Sequence, residues 1–283
     1  MTIAFQGERG AFSELAAIEF FDNKQKPVAV AQWEDVFTSV ETGSTQYGII
    51  PIENSLGGSI HRNYDLLLHH KPYIVGELYL KISQQLLVNK GVILSHVKRI
   101  YSHPQGFEQC WQYLQQKMSG IQLIPISNTA AAAKKIKDEA LMNAASISST
   151  QAAIDYDLKI LAKNIEDNKE NITRFLILSN KKNKLASTKP MKTSVVFSLK
   201  NVPGALFRAL SVFSLRDIDL VKIESRPVRG KPFEYLFYLD FAGSYSEQHQ
   251  QNALNHLQEI TVFYRVLGTY EVGQLAIPHY KKR

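Results

Sequence analysis

Thr2-Ile3-Ala4-Phe5-Gln6-Gly7-Glu8-Arg9-Gly10-Ala11-Phe12-Ser13-Glu14 opens the chain with a short apolar run, a turn holding two glycines, and the start of an amphipathic stretch. The first five residues suit a buried strand, the glycines permit close backbone approach, and residues 11–21 carry helical periodicity. The unit recurs along the chain. Residues 47–52 precede a helical pattern at 60–69, 97–102 precede 105–117, 121–126 precede 129–137, and 143–147 precede 150–154. Strands alternating with helices predict an α/β fold with a parallel-rich sheet. In such sheets ligands bind where loops leave the strand ends.

Three of those loops suit an anion. The first is residues 7–14. The second is Pro51-Ile52-Glu53-Asn54-Ser55-Leu56-Gly57-Gly58-Ser59, which combines carboxylate, amide and hydroxyl with flexible glycines. The third, Ser127-Asn128-Thr129, is an N-cap cluster for the helix that follows. Between them lies Ser102-His103-Pro104-Gln105-Gly106-Phe107-Glu108-Gln109-Cys110, where His103 is either a proton carrier or the cap of a helix begun by Pro104. Further on, Asn171-Ile172-Thr173-Arg174-Phe175 sets a hydroxyl, a fixed cation and an aromatic ring before the apolar Leu176-Ile177-Leu178. Strand alternation puts Thr173 and Phe175 on one face and Arg174 on the other unless the backbone turns. Taken alone, the five residues read as a capped edge strand with a solvated arginine.

The totals exclude several classes. With 283 residues, 45% apolar and 21% charged, the chain should be globular, with two domains. Its single cysteine, Cys110, rules out an internal disulfide framework and fits a reducing, cytoplasmic compartment. No 18-residue apolar run and no leader-like segment occur, so no membrane partner is expected. The net charge of +7 is concentrated in Lys181, Lys182, Lys184, Lys189, Lys192, Lys281, Lys282 and Arg283. Without these eight the remainder carries −1, which removes the main argument for nucleic acid. One cysteine and no paired ligand spacing argue against a metal site, and no phosphate-loop or dinucleotide fingerprint is present, so no cofactor is expected.

Beyond residue 180 the pattern changes. Residues 181–192, with five lysines and Pro190, read as an exposed connector. Strands at 193–199, 219–227, 232–241 and 261–270, with helices at 204–214 and 246–257, give the order βαββαβ of a ferredoxin-like fold.

In order, residues 7–14, 51–58, 102–110, 129–133, 144–153 with Tyr156, and 171–175 resemble the prephenate dehydratases. The resemblance implies a bilobal, periplasmic-binding-protein-like α/β catalytic domain over 1–180. The chain would cross between the lobes near 80 and 160. It implies decarboxylating dehydration of prephenate to phenylpyruvate, with Thr173 tied to activity. Arg174, Phe175, Glu53, Asn54, Ser55, Ser13, Thr129, His103 and Gln105 would bind substrate, and Glu53 and His103 are alternative proton donors. Residues 193–273 are similar to ACT regulatory domains through Asn201-Val202-Pro203-Gly204-Ala205-Leu206 and Glu224-Ser225-Arg226-Pro227, although Phe207 departs from the usual aliphatic residue. That similarity implies L-phenylalanine as effector, bound by Asn201, Pro203, Gly204, Ala205, Leu206, Glu224, Ser225, Arg226 and Pro227 in a homodimer or homotetramer. Without the resemblance, Glu224 and Arg226 read as a surface ion pair. Residues 274–283 read as a basic tail. Because the chain starts at once with a strand, a fused chorismate mutase bundle is not expected. Arogenate dehydratase and a non-catalytic phenylalanine-sensing binding protein are the rival readings.

Overall fold

The computed structural model describes residues 1–22, 24, 26–183, 188–228 and 230–281. Part of the expected connector, 184–187, lies outside the described residues. The elements begin with β1 (Thr2–Gln6), α1 (Phe12–Phe21), β2 (Lys26–Val30), α2 (Trp33–Glu41), β3 (Tyr47–Asn54), β4 (Gly58–Ser59) and α3 (His61–His70). Next come β5 (Tyr73–Lys81), β6 (Gln85–Val88), β7 (Arg99–Ser102), α4 (Pro104–Gln109), α5 (Trp111–Lys117), β8 (Gln122–Pro125) and α6 (Thr129–Asp138). Then follow β9 (Ala144–Ser148), α7 (Thr150–Asp155), β10 (Lys159–Ala162) and β11 (Ile172–Ser179). The last group is β12 (Met191–Ser198), α8 (Ala205–Ser214), β13 (Leu220–Pro227), β14 (Tyr235–Ala242), α9 (Gln248–Ile260), β15 (Phe263–Glu271) and β16 (Leu275–Ala276).

The chain divides into two compact units. The first comprises Met1–Leu66, Leu78–Phe175 and Leu275–Arg283, and the second Leu67–Glu77 and Leu176–Gln274. One sheet runs β16-β5-β11-β3-β1-β2 and another β10-β6-β9-β7-β8. The expected parallel pairing is found for β1 with β2 and β3, and for β7 with β8 and β9, whereas β6 pairs antiparallel with both β9 and β10. The second sheet is buried on both faces, and its strands show how. On β6, Leu86 and Val88 enter one apolar cluster with Phe107, Cys110 and Leu114, while Leu87 between them enters another with Ala132, Ala133 and Ile136. The helix expected over 105–117 is two helices, α4 and α5, because Cys110 leaves helical geometry at φ −116° and ψ 19°. Burial pushes the Cys110 thiol well above its ordinary pKa, so it packs as an apolar group.

The tail is not loose. Within the first unit β16 adds to β5 as a parallel strand, pairing Leu275 with Tyr79 and Ala276 with Leu80. Beyond it the His279 N–H donates to Glu19 on α1 at 2.6 Å. The amide of Gln151, fully buried at the start of α7, donates to the Lys281 carbonyl at 2.7 Å and accepts from its N–H at 3.0 Å. Charge pattern alone gave no sign of these contacts.

In the second unit the order is βαββαβ, with a four-stranded antiparallel sheet ordered β13-β14-β12-β15. Val195 and Phe197 on β12 and Leu239 and Phe241 on β14 alternate onto one face. There they meet Ala209, Val212 and Phe213 of α8 and Ala253, Leu254 and Leu257 of α9. The same unit holds Leu67–Glu77 through one half-buried and one buried cation. Arg265 donates to the carbonyls of Leu67, Leu68 and Pro72, and Lys192 pairs with Glu77 at 2.6 Å. Lys192 is therefore not part of an exposed connector. It lies on β12 with its side chain only 7% exposed, against a Glu77 side chain that is wholly buried and also accepts from the Gly273 N–H. Removing one partner of such a pair strands a buried charge. Lys192→Met should accordingly cost about 3–5 kcal/mol in urea denaturation, and Lys192→Met with Glu77→Leu should recover most of that loss.

Candidate active site

Within the first unit a cavity of about 270 Å³ is lined from the β1–β3 side by Gln6, Ser13, Trp33, Asn54, Thr173 and Phe175 and from the β6–β9 side by Gln84, His103, Gln105, Gln109, Asn128 and Thr129. Among the described residues no Asp, Glu, Lys or Arg lines it. The chain crosses between the two sheets twice, after β5 and after β10, and hydrogen bonds join the crossings. Ile82 N–H donates to the Asn171 carbonyl at 2.8 Å, Ile165 N–H to that of Gln84 at 2.9 Å, and Gln84 N–H to the buried Glu166 carboxylate at 2.8 Å.

Thr173 is fixed by Asn54. The Asn54 Nδ2 donates to Thr173 Oγ1 at 3.0 Å, Asn171 Oδ1 at 2.7 Å and the Ile172 carbonyl at 3.2 Å. Its Oδ1 accepts from the N–H groups of Leu56 and Gly57 at 3.1 and 2.8 Å, closing the turn after β3. Ser55 locks the same joint, since its N–H donates to the Ile172 carbonyl, its hydroxyl donates to the Glu170 carbonyl, and that hydroxyl accepts from Ile172 N–H. With Thr173 Oγ1 already accepting from an amide, its own O–H has no acceptor among the described residues. It is left as a donor.

Two helices of ten residues begin at the cavity. No side chain caps α1, and Asn128 caps α6 by accepting from Ala131 N–H at 2.7 Å. First-turn N–H groups lack intrahelical acceptors and favour an anion. The loop before α1 is held by close packing. Gly10 sits at φ +84°, where an added Cβ would lie 2.7 Å from the Ala152 Cα, and Ser149 Oγ donates to its carbonyl at 2.6 Å. His103 caps α4, its Nδ1 accepting from Gln105 N–H at 3.2 Å. Burial lowers its pKa below the usual histidine value, and the carboxylate of Glu108 only partly offsets this. It is therefore neutral at pH 7, with the ring proton on Nε2.

Of the expected substrate-binding residues, Ser13, Asn54, His103, Gln105, Thr129 and Phe175 line the cavity with Thr173. Arg174, Glu53 and Ser55 do not. Strand alternation explains Arg174 and Glu53, which point away from the faces that carry Thr173 and Asn54, and each has partners of its own. Trp33, Gln84 and Gln109 went unrecognised in the sequence. Gln84 lies in a crossing whose polar pair Gln84-Gln85 carries no motif. In the second unit Asn201, Pro203 and Gly204 form an exposed turn before α8, with Ala205 and Leu206 opening the helix. Glu224, Ser225, Arg226 and Pro227 lie on β13, an edge strand that among the described residues pairs only with β14.

Residues 3–183 match the prephenate dehydratase family model, and residues 193–244 match that of the ACT domain. The chain belongs to the prephenate dehydratase family. A relative from Arabidopsis thaliana, arogenate dehydratase/prephenate dehydratase 2, chloroplastic, is 46% identical over 95% of this chain and 72% of its own length. A solved prephenate dehydratase from Arthrobacter aurescens, in complex with L-Phe, superposes with a TM-score of 0.89 at 29% identity, covering 96% of this chain and 90% of that one. Another solved structure, described as GqqA, a novel type of quorum-quenching acylase, gives 0.85 at 28% identity, covering 96% and 98%. The bilobal α/β region and the C-terminal ACT domain expected from the sequence are thus the family's architecture.

Asn54 is the member of this site whose substitution tests the geometry most sharply. Asn54→Asp puts an acceptor-only group against three acceptors while keeping the size. It should cost about 1–3 kcal/mol in chemical denaturation through the lost bonds to Asn171 and the Ile172 carbonyl, and turn the Thr173 hydroxyl onto the new carboxylate, whereas an unchanged stability would show that the amide holds nothing together.

Proposed function

We propose that the chain catalyses the decarboxylating dehydration of prephenate to phenylpyruvate, water and carbon dioxide. The observation that carries this reading is a threonine hydroxyl left as a donor in a cavity of neutral donors and helix N-termini. Prephenate is a dianion with a leaving hydroxyl. As the ring C–COO⁻ bond breaks, its electron pair aromatises the ring and the C–O bond opposite breaks, so the departing oxygen needs a proton or a strong hydrogen bond. In this reading Thr173 O–H supplies that hydrogen bond, and Asn54, donating to Thr173 Oγ1, makes it the better donor. The carboxylates are taken by first-turn N–H groups of α1 and α6 and by Ser13, Thr129 and Gln105, in place of a guanidinium.

The alternative acids are less suited. Glu53 does not line the cavity, and His103 is held neutral by burial. An acylase would need the reverse polarity at Thr173, a base accepting its proton, and the bond it makes is with an amide donor. Arogenate differs from prephenate by an ammonium in place of a keto oxygen. The relative from Arabidopsis thaliana bears both activities in its name, so arogenate is the second reading.

L-phenylalanine is proposed to bind the turn of Asn201, Pro203 and Gly204 with Leu206 and the 224–227 segment, lowering activity. The edge strand β13 exposes Val221 and Ile223, which suits coverage by a second copy in a homodimer or homotetramer.

Steady-state kinetics on prephenate and arogenate test the assignment. Thr173→Ala should lower kcat by at least about 10²-fold with a small change in KM, while Arg174→Ala, away from the cavity, should affect stability more than KM. Normal turnover in Thr173→Ala would sink the role. For regulation, saturating phenylalanine should reduce kcat/KM and alter the solution-scattering profile, and Asn201→Ala should abolish both. Wild-type protein that keeps its rate and profile with phenylalanine would exclude feedback control.

A further inference from the structure

The second unit contains a cavity of about 400 Å³ that the dehydratase reading does not use, lined by Lys71, Tyr73, Ile74, Lys182, Tyr245 and Arg265 among others. Its volume lies in the range of small-molecule sites. Among the described residues no Asp or Glu lines it, so three cations share one recess without a carboxylate. None of the residues proposed for phenylalanine lines it either.

Arg265 is the deciding residue. Its guanidinium is half-buried, and its three hydrogen bonds run to the carbonyls of Leu68, Leu67 and Pro72 at 3.3, 3.1 and 3.2 Å. Carbonyls satisfy donors but leave a full positive charge. Of the five N–H groups of an arginine, the Nε–H and one Nη1–H have no acceptor among the described residues. A partly desolvated cation in that condition is costly unless an anion joins it. Lys182 Nζ lies 5.5 Å from the centre of the Tyr73 ring, so cation and aromatic face adjoin at the same wall. Ile74 is buried and Tyr245 half-buried, which gives the recess an apolar, aromatic part beside its charged part.

We infer that this cavity binds a small aromatic carboxylate lacking an ammonium group, its carboxylate on the open donors of Arg265 with Lys71 and Lys182 nearby, its ring against Tyr73 and Tyr245. An ammonium would meet three cations and no acid, so 2-oxo and simple aryl acids fit where an amino acid does not. Aromatic pairs add stabilisation beyond burial, which separates this ligand class from a bare inorganic anion.

Hydrogen exchange of the full chain, read peptide by peptide, locates the ligand without reference to activity. Phenylpyruvate should slow exchange in peptides covering 67–75 and 263–269. Lys71→Glu with Lys182→Glu, both exposed positions, should weaken that effect at least tenfold in midpoint concentration while leaving the melting temperature and the protection around 171–175 unchanged. Lys182→Gln alone should give a smaller weakening. Phenethylamine, which keeps the ring and replaces the carboxylate by an ammonium, should protect neither peptide. Equal protection by inorganic phosphate at the same concentration would reduce the site to a bare anion site and overturn the aromatic assignment. Protection by phenethylamine, or none by phenylpyruvate, would overturn the proposal altogether.

Discussion

The Asn54 amide is the interaction on which the site depends. One side chain closes the turn after β3 through its oxygen and ties down β11 through its nitrogen. β3 and β11 are neighbours in the sheet, yet side-chain polarity at Thr173 is set by that amide and not by the ladder. Had Asn54 been a carboxylate, Thr173 would have donated to it and turned its proton away from the cavity. The amide decides which way the hydroxyl points, and under the proposed reaction that direction is what the departing oxygen meets.

Neutral recognition follows from the same economy of charge. Under the proposed reaction, an arginine or lysine in a cavity of about 270 Å³ would bind the dianion about equally in its ground and transition states, and such uniform binding does not accelerate the chemical step. Helix N-termini and neutral donors hold carboxylates more weakly but at fixed positions, which leaves the largest gain for the oxygen that develops charge as it departs. Arg174, one residue from Thr173 and on the other face of β11, shows that proximity in sequence puts a cation beside the site without putting it in the site.

Much of this was legible in the residues. The strand, glycine turn and helix at residues 2–14, the βαββαβ order after 190 and the N-cap cluster at 127–129 are local patterns of period and capping, and each formed the expected kind of element. Thr173, Asn54, Ser13 and Thr129 reached one cavity because loops at strand ends converge in α/β sheets. What escaped depends on partners remote in sequence. Lys192 looked like one lysine of an exposed run until Glu77, 115 residues away, paired with it. The tail looked like a basic end, although Gln151 binds its backbone and ignores its charge. The break at Cys110 interrupts a helical period that continues on both sides, and no glycine or proline marks it.

Two passages between the units fall inside strands instead of loops. β5 passes from the second unit to the first between Glu77 and Leu78, and β11 from the first to the second between Phe175 and Leu176. A loop at such a passage would absorb displacement in its own dihedral angles, whereas a strand held in a ladder shifts or tilts as a piece. Thr173 lies three residues before the β11 passage, and Glu77, the partner of Lys192, lies at the β5 passage. A ligand that binds one arrangement of the ACT unit better than another can shift the balance between them only by that difference in affinity. Under the proposed regulation, strand continuity gives the difference a short covalent route to the Asn54–Thr173 bond.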